Sequence, residues 1–267
     1  MLTISLKTIR QTLFSLAIAS LPLNGLAIER WQNPSYIQQS FLTIALQREY
    51  NKKTNPRLIR WEKPIDIYFE SDFGDTELQR ELLSVQLNHL SFITGVPISF
   101  NDNKKKSNIF IVFTSYKNLE PKVKEYIGNP NNIRAALKEA ICLGHFSVDG
   151  QSNIYKGTII IPVDYARESA RFLDCIVEEI TQLMGLPNDS NNVYPSIFND
   201  TSIDSYLSPL DYLLLKLLYS KRLTAGMTVQ ETKRALPLAI KDLVDFGEMK
   251  NAARLVREYS LQEYLGD

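Results

Sequence analysis

The sequence predicts an α+β protein, in which a mixed sheet carries packed helices and is followed by a helical C-terminal part. Strand-like and helix-like patterns alternate between residues 64 and 184, which favours helices packed on a sheet. The continuous apolar run Ile109–Phe113 is typical of a central strand that is covered on both faces. From Ser208 onward the patterns are helical, so the C-terminal part is expected to add helices.

The first 27 residues predict a secretory signal peptide. Lys7 and Arg10 precede an apolar run over residues 12–23, and the small-residue site Gly25-Leu26-Ala27 follows it. The run is shorter than the roughly 20 residues that cross a bilayer, and an uncleaved anchor is the alternative. We therefore expect a periplasmic or secreted protein with no membrane span after signal cleavage.

The mature part, residues 28–267, is expected to form a single domain, with a sheet–helix part over 28–185 and a mainly helical part over 186–267. The chain holds 30 Lys and Arg residues and 30 Asp and Glu residues. This balance argues against nucleic-acid binding, which requires a basic surface. The run Lys104-Lys105-Lys106 lies between two predicted strands and is expected to be a solvated loop.

The first half of the mature chain contains two predicted helices and three predicted strands. Ile65, Ile67 and Phe69 alternate with more polar residues, which indicates a strand with one buried face. The second helix has apolar residues at helical spacing and a stop signal at Gly95. In chain order we predict a helix over Ser35–Tyr50, a strand over Pro64–Glu70, a helix over Thr76–Thr94, and strands over Val96–Phe100 and Asn108–Ser115.

The second half leads through a turn-rich segment to a long helix and then to the C-terminal helices. Glycine, Asp and Asn residues make Cys142–Tyr155 a predicted loop or hairpin, and Asp164 is well placed to cap the long helix. The other predicted elements are helices over Asn129–Ile141 and Tyr165–Met184, a strand over Gly157–Val163, and C-terminal helices over Pro209–Ser220, over Thr228–Phe246 with an interruption at Pro237, and over Gly247–Leu265. The run Leu213–Leu218 is expected to be core.

The two cysteines, Cys142 and Cys175, are expected to form one disulfide, because an exported chain folds where oxidation is favoured. The bond would tie the loop before the strand at Thr158 to the helix that carries Glu178 and Glu179. It would stabilise the fold by roughly 3 to 4 kcal/mol in the chain-entropy model. Two buried free thiols are the alternative.

The helix over Tyr165–Met184 is predicted to be amphipathic. Glu178 and Gln182 are one helical turn apart and can touch. Glu179 lies about 100° round the helix, at the border of the apolar face. One interpretation is an ordinary solvated face on a helix that ends at Gly185. The other is a functional surface.

The segment Cys175–Asp189 resembles the active-site helix of zinc proteases without its histidines. The rest of the chain is similar in layout to matrixin-like metalloproteases, with Gly157–Val163 as an edge-like strand before this helix. The resemblance implies a zincin-like fold in which Glu-Glu-x-x-Gln replaces His-Glu-x-x-His and Glu179 keeps the general-base position. The pattern His-Glu-x-x-His-x-x-Gly-x-x-His or Asp falls on Glu178, Glu179, Gln182, Gly185 and Asn188, with Asp189 one place later.

More specifically, the chain resembles the bacterial exported family called domain of unknown function 2927. The residues that carry this resemblance are Arg60-Trp61, the two cysteines, Cys175–Gln182, Gly185–Ser190, Pro195–Asp200 and Leu223–Met227. That family has no settled activity. The resemblance therefore implies a fold and an exported location more than a reaction.

The site suggested by this resemblance offers oxygen ligands where imidazoles would be. Catalytic zinc usually takes three ligands from His, Asp, Glu or Cys, and a neutral amide oxygen is a weak ligand for it. No cofactor is therefore expected and zinc is disfavoured. A hard divalent cation suits the set better, the set being Glu178, Gln182, Asn188 and Asp189. Without a metal, Glu179 would face water with a pKa of about 15.7 rather than about 7.

The two histidines are further candidates. His145 lies in the predicted loop, which in the resembled fold passes near the rim of the cleft, so we assign it a binding role. His89 lies in the helix predicted over Thr76–Thr94 and is expected to be an ordinary structural residue. Ser196, Asp200 and His145 are the residue types of a nucleophilic triad, but no Gly-x-Ser-x-Gly elbow accompanies them.

These observations favour an exported non-peptidase that binds a peptide, an envelope component or a partner protein in the former active-site cleft. The alternative is a hydrolase in which Glu179 is the general base and a non-zinc metal or an unusual acid–base set assists it. A purely structural subunit is the third interpretation. The residues assigned to the site are Glu178, Glu179 and Gln182 as candidates for chemistry and Asn188, Asp189 and His145 for binding.

Overall fold

The structure is a computed structural model that describes residues 29–47, 55–134, 137, 140–202 and 204–267. The signal peptide predicted over residues 1–27 lies outside the described residues. None of the described helices has the length and apolarity of a transmembrane segment.

The described strands form one mixed sheet, as the sequence predicts. In chain order they are β1 (Ile65–Ser71), β2 (Ile98–Phe100), β3 (Ile109–Thr114), β4 (Leu143–Val148) and β5 (Ile154–Pro162). They lie in the order β2-β1-β3-β5-β4. Neighbouring strands are parallel except for β4, which pairs antiparallel with β5. The apolar run of β3 is central, as predicted.

The strand expected in an edge-like position lies inside the sheet, so that expectation is wrong. β5 pairs on one side with β3 and on the other with β4, and Ile160 lies between Val112 and Leu143. The edge strand on this side of the sheet is β4, which forms one arm of a hairpin within the stretch predicted as a loop or hairpin. A strand that is paired on both sides and covered on both faces can be apolar along its whole length, which explains the composition of β5.

Helices pack on both faces of the sheet. Ile111 and Phe113 belong to the larger buried cluster, whereas Val112 belongs to a smaller one under α3, as the alternation of side chains along a strand requires. The described helices are α1 (Pro34–Leu46), α2 (Thr76–Thr94), α3 (Leu119–Tyr126), α4 (Val163–Glu168), α5 (Phe172–Leu183), α6 (Pro209–Leu218), α7 (Val229–Asp245), α8 (Glu248–Leu255) and α9 (Leu261–Leu265). The leucines of α6 are fully buried, as expected for core.

Local signals fix the bounds of α2. The Asp75 carboxylate accepts a hydrogen bond from the Leu78 N–H at the start of the helix. Gly95 ends the helix in the left-handed conformation, with φ 73°. The predicted bounds of this helix are therefore confirmed.

The helix predicted over Tyr165–Met184 is two helices, α4 and α5. Ala170 lies between them with φ 55°, and this left-handed residue turns the chain before α5 begins. Asp164 is not the cap of α4, because the residue before that helix is Pro162. Its carboxylate instead accepts hydrogen bonds from the N–H groups of Tyr116 and Tyr165.

Three further helix predictions differ from the structure. The helix predicted over Asn129–Ile141 begins instead with a 3₁₀ turn at Pro130–Ile133, and the described residues at 134 and 137 are helical. Residues 135, 136, 138 and 139 lie outside the described residues. The helix predicted over Gly247–Leu265 is divided into α8 and α9 near Tyr259, which has φ 61°. Pro237 does not interrupt α7. A proline leaves the carbonyl four residues earlier without its helical donor, and here the Gln38 side-chain amide donates to the Lys233 carbonyl at 3.3 Å.

Candidate functional site

A cleft of about 650 Å³ lies between α5 and the edge strand β4. The apolar face of α5 is buried in the core, and its polar face points into the cleft. At one end the cleft is lined by apolar residues that include Ile127, Ile133 and Leu143. The polar residues that line it are Asn132 before β4, His145 on β4, Arg171, Asp174, Glu178, Glu179 and Gln182 on or beside α5, and Asp189 and Asp200 from the segment that follows.

The predicted disulfide is present and joins the two walls of this cleft. Cys142 directly precedes β4 and Cys175 lies in α5, with their Cα atoms 5.9 Å apart. Glu178 and Glu179 follow Cys175 by one helical turn, so the bond fixes the carboxylates relative to the edge strand. Both cysteines line the cleft.

The C-terminal end of α5 is held by two aromatic side chains from other parts of the chain. The Trp61 indole N–H donates to the Leu183 carbonyl at 2.8 Å, and the Tyr219 hydroxyl donates to the Met184 carbonyl at 2.8 Å. The last carbonyls of a helix have no partner within the helix, so these bonds satisfy them and fix the helix end.

Gly185 makes the turn that returns the chain to the cleft. Its φ is 113°, and an added Cβ would lie less than 3.0 Å from the Ile59 carbonyl oxygen. Only glycine fits there without strain. After this turn the side-chain amide of Gln182 donates a hydrogen bond to Asp189 at 2.8 Å. Asn188 points away from the cleft, since it is buried and its side-chain amide donates to the Thr43 carbonyl.

A buried carboxylate anchors the loop that brings Asp200 to the cleft. Asp211, at the start of α6, accepts hydrogen bonds from the Ser196 hydroxyl at 2.6 Å and from the Ile197 N–H at 3.1 Å. Complete burial raises the pKa of Asp211 to about 6, although these bonds act in the opposite direction. Because Ser196 is buried on Asp211, the residues Ser196, Asp200 and His145 do not form a triad.

Three carboxylates converge in the cleft. Oxygen atoms of Glu178, Asp189 and Asp200 all lie within 4.8 Å of one another. Burial raises the pKa of Glu178 to about 9, and the neighbouring charges of Glu179 and Asp189 add to the effect. Arg171 opposes it only in part, with its guanidinium 3.6 Å from Glu178 and 2.7 Å from Asp174. Such a cluster favours a proton, a cationic group or a cation among its oxygens.

Glu179 lies beside Glu178 on α5, and its side chain reaches the other wall of the cleft. Its carboxylate packs against Gly144 of β4, close enough that a Cβ at position 144 would overlap with it. His145, the next residue of β4, is exposed at the rim of the cleft. Desolvation, and to a smaller extent the Lys156 ammonium, lower the pKa of His145.

The family model "Protein of unknown function (DUF2927)" matches residues 34–238, which is most of the chain. The chain belongs to the DUF2927 family. No curated protein matches the chain. The DUF2927 match runs from the start of α1 into α7 and covers every residue that lines the cleft.

Most of the site residues that were predicted from the sequence line this cleft. Glu178, Glu179, Gln182, Asp189 and His145 line it, whereas Asn188 does not. His89 is not among the described residues that line the cleft, and it is buried in the core. Sequence reasoning missed three residues that contribute to the cleft, namely Arg171, Asp200 as a partner of Glu178, and Gly144. Arg171 lies in the helix predicted over Tyr165–Met184, and Asp200 lies in the Pro195–Asp200 segment that carries the family resemblance.

Proposed function

We propose that this protein is a zincin-like non-peptidase that binds an extended polypeptide segment in the cleft between β4 and α5. The observation that carries the proposal is that β4 is an edge strand of the described sheet and also a wall of the cleft. Alternate residues of an edge strand turn their N–H and C=O groups outward, where a peptide strand can pair with them. The partner is thus a peptide or an extended segment of an envelope or other protein.

Charge indicates which side chain such a segment carries. Five carboxylates line the cleft, and Arg171 is the only Lys or Arg among its described lining residues. A Lys or Arg side chain of the ligand would pair with Glu178, whose ionised form is disfavoured without a cationic partner. Apolar neighbours of that residue would fit the end of the cleft around Ile127 and Ile133.

Residue chemistry supports binding rather than zinc peptidase activity. Glu178 and Gln182 stand where two imidazoles would be needed, and the Gln182 amide is already bonded to Asp189. Glu179 is then a hydrogen-bond acceptor for the ligand rather than a base acting on an activated water.

Peptide binding can be measured directly with the purified protein. Fluorescence anisotropy with a library of labelled ten-residue peptides would identify ligands, and each ligand would be compared with a copy in which Lys is replaced by norleucine. We expect the affinity to fall about tenfold or more on that replacement and on Glu178→Gln, because a charge-assisted hydrogen bond is lost. Glu77→Gln on the exposed face of α2 is the matched control. Equal affinity for both peptides, or no binding at all, would exclude the proposal.

We propose that the binding occurs in the periplasm or outside the cell. The disulfide supports this location, since such bonds persist in oxidising compartments. Cell fractionation should recover the protein in the soluble periplasmic or secreted fraction. N-terminal sequencing should show that the recovered chain begins shortly after Ala27. Recovery of the uncleaved chain from the cytoplasm would contradict this location.

The convergence of Glu178, Asp189 and Asp200 favours a second candidate, a hydrolase that uses Glu179 as its base. Carboxylate oxygens at this spacing suit calcium, magnesium or manganese. Such a cation would supply charge stabilisation at these three residues, while Glu179, whose carboxylate packs against Gly144, would accept a proton. Calorimetric titration with each cation, and mass-spectrometric assay of peptide and glycan libraries with Glu179→Gln as control, would distinguish the candidates. Cation-dependent turnover that Glu179→Gln abolishes would favour the hydrolase.

A further inference from the structure

Gly144 and Glu179 are fitted to each other across the cleft. An ideal Cβ at position 144 would lie less than 3.0 Å from Glu179 Oε2 and 3.6 Å from its Cδ. Real Cβ atoms essentially never approach another atom as closely as the first of these distances. The Glu179 carboxylate therefore occupies the volume that the side chain of any other residue would fill.

The glycine is needed for this space and not for backbone freedom. Gly144 lies in β4 opposite Ile159, in extended backbone that every residue adopts. Gly150, in the hairpin turn that follows β4, is not needed for space. Apart from its chain neighbours, no atom of the described residues lies within 4 Å of an added Cβ at that position.

We propose that Gly144 is a positioning residue, because its lack of a side chain leaves the space in which the Glu179 carboxylate lies against the edge strand. This inference rests on the proposed function, because a carboxylate in that place can accept a hydrogen bond from an N–H group of a peptide that lies along β4. A side chain at position 144 displaces the carboxylate from the strand. The residue at position 144 therefore determines whether the Glu179 carboxylate can accept a hydrogen bond from the backbone of the ligand.

Displacing the Glu179 carboxylate in this way should change the binding site without changing the fold. The atom that a new Cβ would meet is the end of a flexible side chain, which can rotate away. Apart from Gly144 and its two chain neighbours, no backbone atom of the described residues lies within 4 Å of that position. Gly144→Ala should therefore fold with a thermal midpoint close to that of the unaltered protein. Its effect should fall on ligand binding alone.

A double-mutant cycle tests this coupling with a lysine-containing peptide from the library. Gly144→Ala should weaken binding about tenfold in the unaltered protein and less than twofold in the Glu179→Gln background, where the charge-assisted bond is already lost. Gly150→Ala should change affinity less than twofold. In the double variant Gly144→Ala/Glu179→Asp the shorter carboxylate clears the new methyl group, so binding should recover in part.

An equal loss in both backgrounds, or an equal loss with Gly150→Ala, would overturn the proposal. A second measurement does not depend on the ligand. The ¹³Cδ resonance of Glu179, assigned by its absence in Glu179→Gln, should move in Gly144→Ala and stay in place in Gly150→Ala. If no peptide binds, the proposed function fails, and an unmoved resonance would still refute the positioning role by itself.

Discussion

The Gln182 side-chain amide donates a hydrogen bond to Asp189 across 2.8 Å, joining the last turn of α5 to the segment that follows it. The amide holds the Asp189 carboxylate in place and lowers its freedom to rotate. The bond thus fixes the segment around Asp189 to the helix.

We predict that the double variant Glu178→His/Gln182→His binds zinc. Positions 178 and 182 lie one turn apart on the cleft face, and Asp189 already contacts position 182, so two imidazoles and one carboxylate would meet. Elemental analysis after dialysis should find about one zinc per chain, in keeping with a three-ligand site. Glu178→His alone, with one imidazole, is the control and should retain much less. If the double variant binds no more zinc than the single one, the zincin-like placement of these positions is wrong.

We predict that Glu178→Gln stabilises the protein at neutral and alkaline pH in the presence of a chelator. The pKa of Glu178 is about 9 in the folded state, against 4.5 as its ordinary value, so folding disfavours the ionised carboxylate. The contribution of Glu178 to stability is complete below about pH 4.5 and is lost as the pH rises toward 9, by up to about 1.4 kcal/mol per unit.

Thermal unfolding of Glu178→Gln and the unaltered protein between pH 5 and pH 9 checks this dependence. The difference in midpoint should widen as the pH rises and should nearly vanish at the acidic end. Glu77→Gln, which removes an exposed carboxylate, should show no such trend. A constant difference across the range would mean that Glu178 is not held protonated by its surroundings.

Local signals allowed some elements to be predicted to the residue, and long-range packing decided the rest. Asp75 and Gly95 mark α2 because capping depends on a few neighbouring residues. The order of strands depends on contacts far apart in sequence, so the edge position of β4 could not be read from its composition. The break at Ala170 interrupts an apolar pattern that continues on both sides, which is why one long helix was expected.

The candidate site, like the fold, was predictable only where residues close in sequence determine it. Helical spacing alone places Glu178, Glu179 and Gln182 close together. Asp200 reaches Glu178 only because Ser196 and Asp211 fix the intervening loop, and this contact leaves no periodic pattern. Neighbouring positions in a turn can face opposite ways, so sequence could not separate Asn188, which is turned inward, from Asp189, which is turned toward the cleft.

We predict that His89 makes the protein sensitive to acid. His89 is buried between α2 and the C-terminal helices, neither ring nitrogen has a hydrogen bond of ordinary geometry, and burial lowers its pKa to about 4. Its stability contribution is complete above about pH 6.5 and is lost as the pH falls toward 4, by about 3 kcal/mol in all. Tyr206 is the only titratable side chain among the described neighbours in the small cavity beside the ring.

The variant His89→Leu should therefore lose less stability than the unaltered protein between pH 6.5 and pH 4.5 in urea unfolding. His145→Gln, which removes the exposed histidine at the cleft rim, is the control and should leave the acid sensitivity in place. Parallel curves for His89→Leu and the unaltered protein would show that other groups cause the sensitivity.

We predict that the double variant Cys142→Ser/Cys175→Ser is less stable by about 4 kcal/mol and binds peptide more weakly. The bond closes a loop with a sequence separation of 33. In the chain-entropy model, removing the bond restores conformational entropy to the unfolded chain and so lowers the free energy of unfolding by about 4 kcal/mol. The same bond joins β4 to α5, so without it the edge strand and the carboxylates are no longer held at a fixed separation. Urea unfolding and peptide anisotropy, each with and without a dithiol reductant, measure the two effects. Reductant should weaken peptide binding by the unaltered protein and leave binding by the double variant unchanged. Equal affinities of the oxidised protein and the double variant would show that the disulfide stabilises the fold without shaping the cleft.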